Sequence, residues 1–225
     1  MCTILLRLAP GSDEPVVLAA NRDEYRDRPA DDPHAIVPGV FAGRDRRAGG
    51  TWLAVGARGL AALTNVAAAR RDDAQSRGDL PLAALAGHLP ADFAAYNPFN
   101  LLVVDDQGAR LFTHGPDGVA RGPIVLGPGD HVIVNEVFGA DAGPRARHAA
   151  ELVAGAPPGF DLLASHGARG DDGLCHHGDA YGTVSSTVIA LDRSLRVARY
   201  LHRPGLPCRT DTVDLTAAAR AATRG

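Results

Sequence analysis

The chain begins with MCTILLRLAPGSDEPVVLAANRDEY, residues 1–25, and this stretch decides the fold. Thr3 to Ala9 and Val16 to Ala20 are apolar runs rich in β-branched residues. The segment Pro10-Gly-Ser-Asp-Glu-Pro15 between them favours a tight connection of two antiparallel strands. A hairpin returns the chain to where it began. We therefore expect the polar run Asn21 to Glu24, directly after the second strand, to lie beside Cys2.

Composition limits what the rest of the chain does. A length of 225 residues suits one large domain, residues 1–225, and 45% hydrophobic with 22% charged residues is typical of a globular protein. A net charge of -3 gives no general attraction for nucleic acid. All 23 basic residues are arginines, which excludes a lysine Schiff base and a Walker-type phosphate loop.

The apolar opening is interrupted by Arg7 and Pro10, so it predicts neither a signal peptide nor a membrane span. Three cysteines, an odd number, indicate reduced thiols and not a disulfide framework. We expect a cytoplasmic protein. The sequence does not indicate the oligomeric state.

Further strand-like and helix-like runs alternate along the chain. The strand-like runs are Thr51 to Val55, Leu60 to Val66, Leu101 to Asp105, Arg110 to Thr113, Val132 to Asn135, Val184 to Leu191 and Leu195 to Leu201. Helical patterns cover Leu80 to Leu89 after a possible Asp79 cap, Arg145 to Ala154, and Thr216 to Thr223. Polar Asp31 to Pro38 and His166 to Asp179 are predicted surface loops. The pattern predicts an α+β fold with two packed, mainly antiparallel sheets covered by helices.

Cys2 is the first candidate for chemistry. Removal of Met1 would leave a thiol and a free amine on one residue. The amine, with a usual pKa of about 7.7 to 8.0, can accept the proton of the thiol, whose usual pKa is about 8.5. The alternative is a buried second residue that happens to be cysteine.

The run Asn21 to Glu24 is the second candidate. Arg22 can lower the pKa of the thiol or bind a substrate carboxylate, and Asp23 can hydrogen-bond the terminal ammonium. Strand alternation puts Arg22 and Asp23 on opposite faces, so both reach the thiol only if the strand has ended or bulged. The alternative is a solvated charged turn.

Other conspicuous residues have simpler interpretations. Cys175-His-His177 would need further ligands to hold a metal ion, and at most two of the three can share one ion, so a polar loop without metal is favoured. Cys208 has no partner in the sequence and is interpreted as structural. Trp52 either floors a cleft or fills the core, and the strand-like run around it favours the core.

An ordered series of short motifs identifies a resemblance. They are Met-Cys-Thr at the start, Asn21-Arg-Asp-Glu-Tyr25, Arg28-Pro29, Ala42-Gly-Arg-Asp45, Gly49-Gly-Thr-Trp-Leu53, Leu63-Thr-Asn65, Ser76-Arg-Gly78, Tyr96-Asn-Pro-Phe-Asn-Leu-Leu102, Tyr181-Gly-Thr183 and Ser185-Ser-Thr187. Together they resemble the NRDE, or transport-and-Golgi-organisation, family. The resemblance implies a four-layer αββα sandwich related to amino-terminal-nucleophile (Ntn) hydrolases, two sheets flanked by helices.

The resemblance also implies roles for individual residues. Those implied as catalytic are Cys2 as nucleophile, Arg22 and Asp23 as its partners, and Asn65 and Asn135 as oxyanion donors. Those implied as substrate-binding are Asn21, Glu24, Trp52 and Ser185. The family more often has arginine where Val184 stands, a missing cation that would weaken anion binding.

Two functions follow from these expectations. The first is a cysteine amidohydrolase that cleaves a small linear amide through Cys2 and needs no cofactor or metal. The alternative is a non-catalytic carrier or chaperone that binds a hydrophobic ligand, either haem or an acyl-CoA-type lipid, in the same cleft.

Overall fold

The computed structural model describes residues 2–140, 142–168 and 172–224. Within these ranges the chain forms thirteen strands in two antiparallel sheets, together with four α-helices and one short 3-10 helix, Arg77–Asp79. The α+β class predicted from the sequence is confirmed. No helix among the described residues is long and apolar enough to cross a membrane.

The six-stranded sheet is built around the amino-terminal hairpin. Its strand order is β10-β1-β2-β11-β12-β13. The strands span Thr3–Leu8 (β1), Val16–Tyr25 (β2), Gly129–Ile133 (β10), Tyr181–Leu191 (β11), Val197–Arg203 (β12) and Val213–Asp214 (β13). Strand β1 pairs with β2 from Thr3 opposite Asn21 to Leu8 opposite Val16, so the predicted hairpin is confirmed.

The seven-stranded sheet follows the chain order β3-β4-β5-β6-β7-β8-β9. The strands span Ala30–Val37 (β3), Val40–Asp45 (β4), Leu53–Gly56 (β5), Gly59–Asn65 (β6), Phe99–Asp105 (β7), Gly108–His114 (β8) and Ala120–Leu126 (β9). Neighbouring strands follow one another in the chain, as in a meander, except that the connection from β6 to β7, residues 66–98, is long and contains a helix.

Three apolar clusters hold the elements together. Alternate residues of β1, among them Ile4 and Leu6, pack against the second sheet through residues such as Leu102. Leu5, on the other face of β1, packs against the helices Pro144–Gly155 (α2) and Phe160–Leu163 (α3). The outer face of the second sheet packs against Leu80–Leu85 (α1). Both faces of β1 are therefore buried, which explains its unbroken apolar run.

The three predicted helices are present with shifted ends. Leu80–Leu85 ends four residues early, and Asp79 makes no side-chain capping hydrogen bond. Helix α2 extends one residue beyond the predicted range at each end, and Thr216–Ala222 (α4) ends one residue early. The short α3 was not predicted.

The main error of the prediction concerns the end of β2. Asn21 to Glu24 was expected to follow the strand, but β2 continues through this run to Tyr25 because β11 pairs along its other side. Glu24 lies opposite Gly182, and Asp23 lies opposite Thr183. The polar run is therefore part of a central strand. Asn21, Arg22 and Asp23 have partners far away in sequence, whereas Glu24 pairs with nearby Arg28.

A second error concerns Asp31 to Pro38, which was expected to be a loop. It is largely strand β3, whose polar residues and Pro33 suit its position at the edge of the second sheet. Strands β4, β9 and β13 were also missed. The described residues of the predicted loop His166 to Asp179, numbers 166–168 and 172–179, contain neither helix nor strand, and residues 169–171 lie outside the description.

Candidate active site

A cavity of about 440 Å³ opens where the end of β2 faces the second sheet. Its walls come from β2, from the second sheet and from residues 74–78. The last of these walls is held by close backbone contact, because Thr51 N–H donates to the Gly78 carbonyl at 2.9 Å. A Cβ at Gly50 would lie 2.4 Å from the Gly78 carbonyl carbon, so this approach requires glycine.

Cys2 lines this cavity. The hairpin register places Thr3 opposite Asn21, so the preceding residue, Cys2, reaches the level of Arg22. Burial raises the pKa of the thiol and the charge of Asp23 raises it further, whereas the Asp23 N–H and Arg22 lower it. With the chain beginning at Met1, the thiol is therefore mostly protonated at neutral pH.

Asp23 is buried beside Cys2 within a polar network. The Thr183 hydroxyl donates to its Oδ1 at 2.6 Å, and Arg145 of α2 approaches its Oδ2 at 3.3 Å. His176 Nε2 lies 3.8 Å from the same oxygen and also contacts the Arg145 guanidinium. Burial raises the pKa of Asp23, and the Thr183 hydrogen bond and the Arg145 charge oppose that rise.

His176 is neutral at physiological pH. Burial, together with the neighbouring charge of Arg145, lowers its pKa to about 4. A neutral ring can accept a hydrogen bond from Arg145 without adding a second positive charge. His176 therefore holds Arg145 against Asp23 from behind the cavity.

Arg22 is buried on the opposite side of β2. Its guanidinium lies 4.3 Å from the centre of the Trp52 ring and 3.3 Å from Asp45 Oδ2. Arg28 also binds this oxygen, at 2.6 Å. Burial opposes ionisation of Asp45, but the hydrogen bonds from Arg28 and the Ala48 N–H, with the nearby charge of Arg22, lower its pKa overall.

Trp52 lines the cavity, and its partly buried side chain also packs against the core between the sheets, so it combines the two roles that the sequence allowed. Its ring packs directly over Gly43, where a Cβ would lie 2.6 Å from the ring. Arg22 and Asp23 point to opposite sides of β2 yet both line the cavity. Strand alternation required β2 to end or bulge at this point. The shift in strand register lies instead in the partner strand β11, between Thr183 and Ser185.

Five arginines line the cavity against three acidic residues. Among the described residues, Arg47, Arg70 and Arg77 form no ion pair. Burial and the neighbouring charge of Arg70 lower the pKa of Arg77 to about 10. An anion bound between these side chains would relieve their repulsion. The cavity therefore attracts negatively charged groups.

Asn65 ends β6, is exposed and lines the same cavity as Cys2. Asn135 does not line the cavity, although its carbonyl accepts a hydrogen bond from Ala67 N–H at 2.9 Å. Buried Asn100 fixes this region. Its Nδ2 donates to Thr64 Oγ1 and to the carbonyls of residues 134 and 136 at 2.8 to 3.1 Å.

The predicted substrate-binding residues divide into two groups. Glu24 and Trp52 line the large cavity. Asn21 faces the helical side of its sheet, where it donates to the carbonyls of Leu163 and Leu174 and accepts from Ser186. Ser185 lines a smaller adjoining cavity of about 270 Å³, together with Val184.

Sequence reasoning missed Arg145, Thr183, Asp45 and Arg77. Three of the missed residues lay inside quoted motifs, and that position was the available signal: Asp45 in Ala42-Gly-Arg-Asp45, Arg77 in Ser76-Arg-Gly78 and Thr183 in Tyr181-Gly-Thr183. Arg145 was seen only as the start of a helix, and no local pattern marks it as a partner of Asp23.

Comparison with known proteins supports one family. The sequence model of the family described as Transport and Golgi organisation 2 matches residues 1–154. The relatives include Transport and Golgi organization protein 2 homologs of Bos taurus and Homo sapiens, 35% identical over 164 residues and 32% identical over 171 residues. The Mus musculus homolog is 33% identical over 164 residues.

Each of these matches covers 61% of this chain and 58% of the relative. The matched region of the family model contains Cys2, the whole of β2, the arginines of the cavity and Asn65. The chain belongs to the Transport and Golgi organisation 2 family.

Proposed function

We propose that this protein is a cysteine amidohydrolase of the Ntn type, which cleaves a small linear amide bearing a negatively charged group. The observation that carries the proposal is that the Cys2 thiol, the Asn65 amide and three arginines without acidic partners among the described residues line one cavity. A thiol supplies the nucleophile, an amide supplies an oxyanion donor, and arginines bind an anion.

The packing of the chain is compatible with a four-layer αββα arrangement. The core between the sheets, the α2 and α3 cluster on one outer face and the α1 cluster on the other would be the contacts between successive layers. In such an arrangement the amino terminus begins a central strand. A nucleophile on that residue is held by a paired strand and needs no flexible loop.

The proposed reaction begins after removal of Met1. The freed α-amino group of Cys2 takes the thiol proton, and the sulfur attacks the amide carbon to form an S–C bond. The C–N bond breaks, and the same proton passes to the leaving amine. Water then hydrolyses the thioester, releasing the acid and restoring the thiol.

Asp23 and Arg145 would position the amine in this reaction. The Asp23 carboxylate is buried between Arg145 and Thr183, and an ammonium beside it would gain a charge-assisted hydrogen bond. Asn65 would donate to the oxyanion from the opposite wall. A single oxyanion donor contributes about 10²-fold or more to the rate.

The charge of the cavity favours a polar substrate over a hydrophobic cargo. Most of the side chains that line it are charged or polar. A haem or acyl chain buried there would have to desolvate several arginines. The carrier hypothesis is therefore the weaker of the two.

The test compares two substrates that differ only in charge, an N-acylglycine and its glycinamide analogue. Protein whose intact mass shows that Met1 is absent should hydrolyse the carboxylate faster by about tenfold or more, the effect of one charge-assisted hydrogen bond. Cys2→Ala should abolish hydrolysis, and Arg77→Gln should reduce the preference for the carboxylate.

The N-acylglycine and its glycinamide analogue should be tested with several acyl chains, because a single acyl group could fail to fit the cavity. Simple amides and β-lactams complete the panel of substrates. Retained activity in Cys2→Ala would refute the nucleophile. Absence of turnover across the panel, combined with a Soret shift on haem titration that depends on Cys2, would favour the carrier instead.

A further inference from the structure

A cluster of four metal-binding side chains lies outside the cavity. His166, Cys175, His177 and Cys208 each contribute one nitrogen or sulfur atom, and all four atoms lie within 4.8 Å of one another. The region matched by the family model ends at residue 154, so these side chains lie outside it. They come from separate segments, one after α3, one before β11 and one between β12 and β13.

The spacing of these atoms fits a tetrahedral zinc ion. Zinc bonds of about 2.3 Å to sulfur and about 2.0 to 2.1 Å to nitrogen give tetrahedral edges of about 3.8 Å for S–S, 3.5 Å for S–N and 3.3 Å for N–N. The two sulfurs lie 3.6 Å apart. His177 Nε2 lies 3.5 Å from Cys175 Sγ and 3.2 Å from Cys208 Sγ, and the two Nε2 atoms lie 3.1 Å apart.

The sulfur atoms are too far apart for a disulfide, whose S–S bond is about 2.05 Å. Two thiolates and two imidazoles are the donor set of structural zinc sites, and the two thiolate charges neutralise the ion. We propose that His166, Cys175, His177 and Cys208 bind a structural Zn²⁺ ion that joins the loop before β11 to the loop after β12.

The loops that carry the ligands are ordered by other contacts. The Ser165 carbonyl accepts from the N–H groups of Leu174 and Cys175, which brings His166 back to Cys175. On the other side, Arg203 stacks on Phe160 at 4.3 Å and donates to Thr212 at 2.8 Å. The four donor atoms therefore converge without help from an ion, which reduces the entropic cost of binding one.

Alternation along the chain separates the two histidines of the motif. Cys175 and His177 point to the metal cluster, whereas His176 points to Arg145 and Asp23. The sequence argument allowed two of the three residues to share an ion and required further ligands. His166 and Cys208 supply them. The zinc proposal is independent of the proposed hydrolysis.

The test is elemental analysis of the full chain, purified in reductant without chelator. We expect about one zinc per chain in the wild type. Zinc should be lost from Cys208→Ser and from His177→Ala, and it should remain in the matched controls Cys2→Ser and His88→Ala. His88 is an exposed histidine remote from the cluster in sequence.

Cobalt provides a readout that does not depend on how the variants fold. Wild-type apoprotein reconstituted with Co²⁺ should show the visible bands of tetrahedral thiolate coordination, and zinc should displace them. A chelator should lower the melting temperature of the wild type more than that of Cys208→Ser, because only the wild type has an ion to lose.

Three results would overturn the proposal. The first is a wild type that holds no zinc both as isolated and after zinc titration under reductant. The second is undiminished zinc in Cys208→Ser and His177→Ala. The third is a Cys175–Cys208 disulfide in the protein as isolated, seen as a cross-linked peptide and a mass lower by two hydrogens. Iron or copper in place of zinc would overturn the choice of metal.

Discussion

Replacement of Arg145 by leucine tests the buried network behind the cavity. Arg145 is 4% exposed and Asp23 is 3% exposed, and their atoms lie 3.3 Å apart. Removing one partner of a buried ion pair costs about 3 to 5 kcal/mol. We expect a loss near 3 kcal/mol, because the Thr183 hydroxyl still donates to Asp23 at 2.6 Å.

The loss should depend on pH in a defined direction. Without Arg145, the pKa of Asp23 rises further above its unfolded value of about 3.9. A carboxyl with a raised folded-state pKa favours folding while it is protonated. Arg145→Leu should therefore be least harmful below about pH 4, and its cost should grow as the pH rises through the folded-state pKa.

Urea unfolding at several pH values measures both effects. In thermal unfolding at pH 7, the melting temperature should fall by about 6 to 12 °C, since a chain of this size loses about 2 to 4 °C per kcal/mol of stability. The double variant Asp23→Asn/Arg145→Leu should recover part of the loss, because neither charge of this buried pair remains. The matched control is Arg193→Leu, whose exposed pair with Asp13 should contribute less than about 1 kcal/mol.

The reasoning is refuted if Arg145→Leu is no more harmful than Arg193→Leu. It is also refuted if the cost of Arg145→Leu does not vary with pH and is not reduced by Asp23→Asn. Either result would mean that the network contributes little to folding.

Three further predictions follow from the walls of the cavity. Gly50→Ala should destabilise the protein by about 1 to 3 kcal/mol in urea unfolding, because its Cβ would meet the Gly78 carbonyl, whereas Gly11→Ala, with open space around it, should not. Asn100→Ala should cost about 1 to 3 kcal/mol by the same assay, because it leaves the carbonyl of residue 136 without this donor and that of residue 134 with the Thr64 hydroxyl alone; little change would contradict its role. Removal of Met1 should speed alkylation of Cys2 by iodoacetamide at pH 7. Burial raises the pKa of the thiol in the longer form, whereas the α-amine freed on Cys2 can accept the thiol proton in the shorter form. Equal rates in the two forms would count against activation by the α-amine.

The sequence predicted the elements that depend on residues close together in the chain. The first hairpin follows from two apolar runs and a Pro-Gly turn, and the structure has it within one residue at the end of β1. The helix at Arg145 to Ala154 follows from apolar spacing and is also present. Both depend on residues close together in the chain.

Partners far away in sequence explain the errors. Asn21 to Glu24 was expected to follow the end of the strand, but Thr183 and Arg145 compensate Asp23 within the strand from 160 and 122 residues away. Cys208 had no visible partner because Cys175 lies 33 residues earlier. Trp52 packs against the core as its strand-like neighbours suggested, but the local sequence does not show that it also lines the cavity with Arg22 over its ring.

The central claim is that Cys2 lies in the arginine-lined cavity as an amino-terminal nucleophile. The most direct measurement is intact mass spectrometry of Met1-free protein, quenched in acid during turnover of an N-acylglycine. The account predicts an increase equal to the acyl group, located on the peptide containing Cys2 and absent from Cys2→Ala. Product formation with no acyl group on Cys2, or an equal adduct in Cys2→Ala, would contradict it.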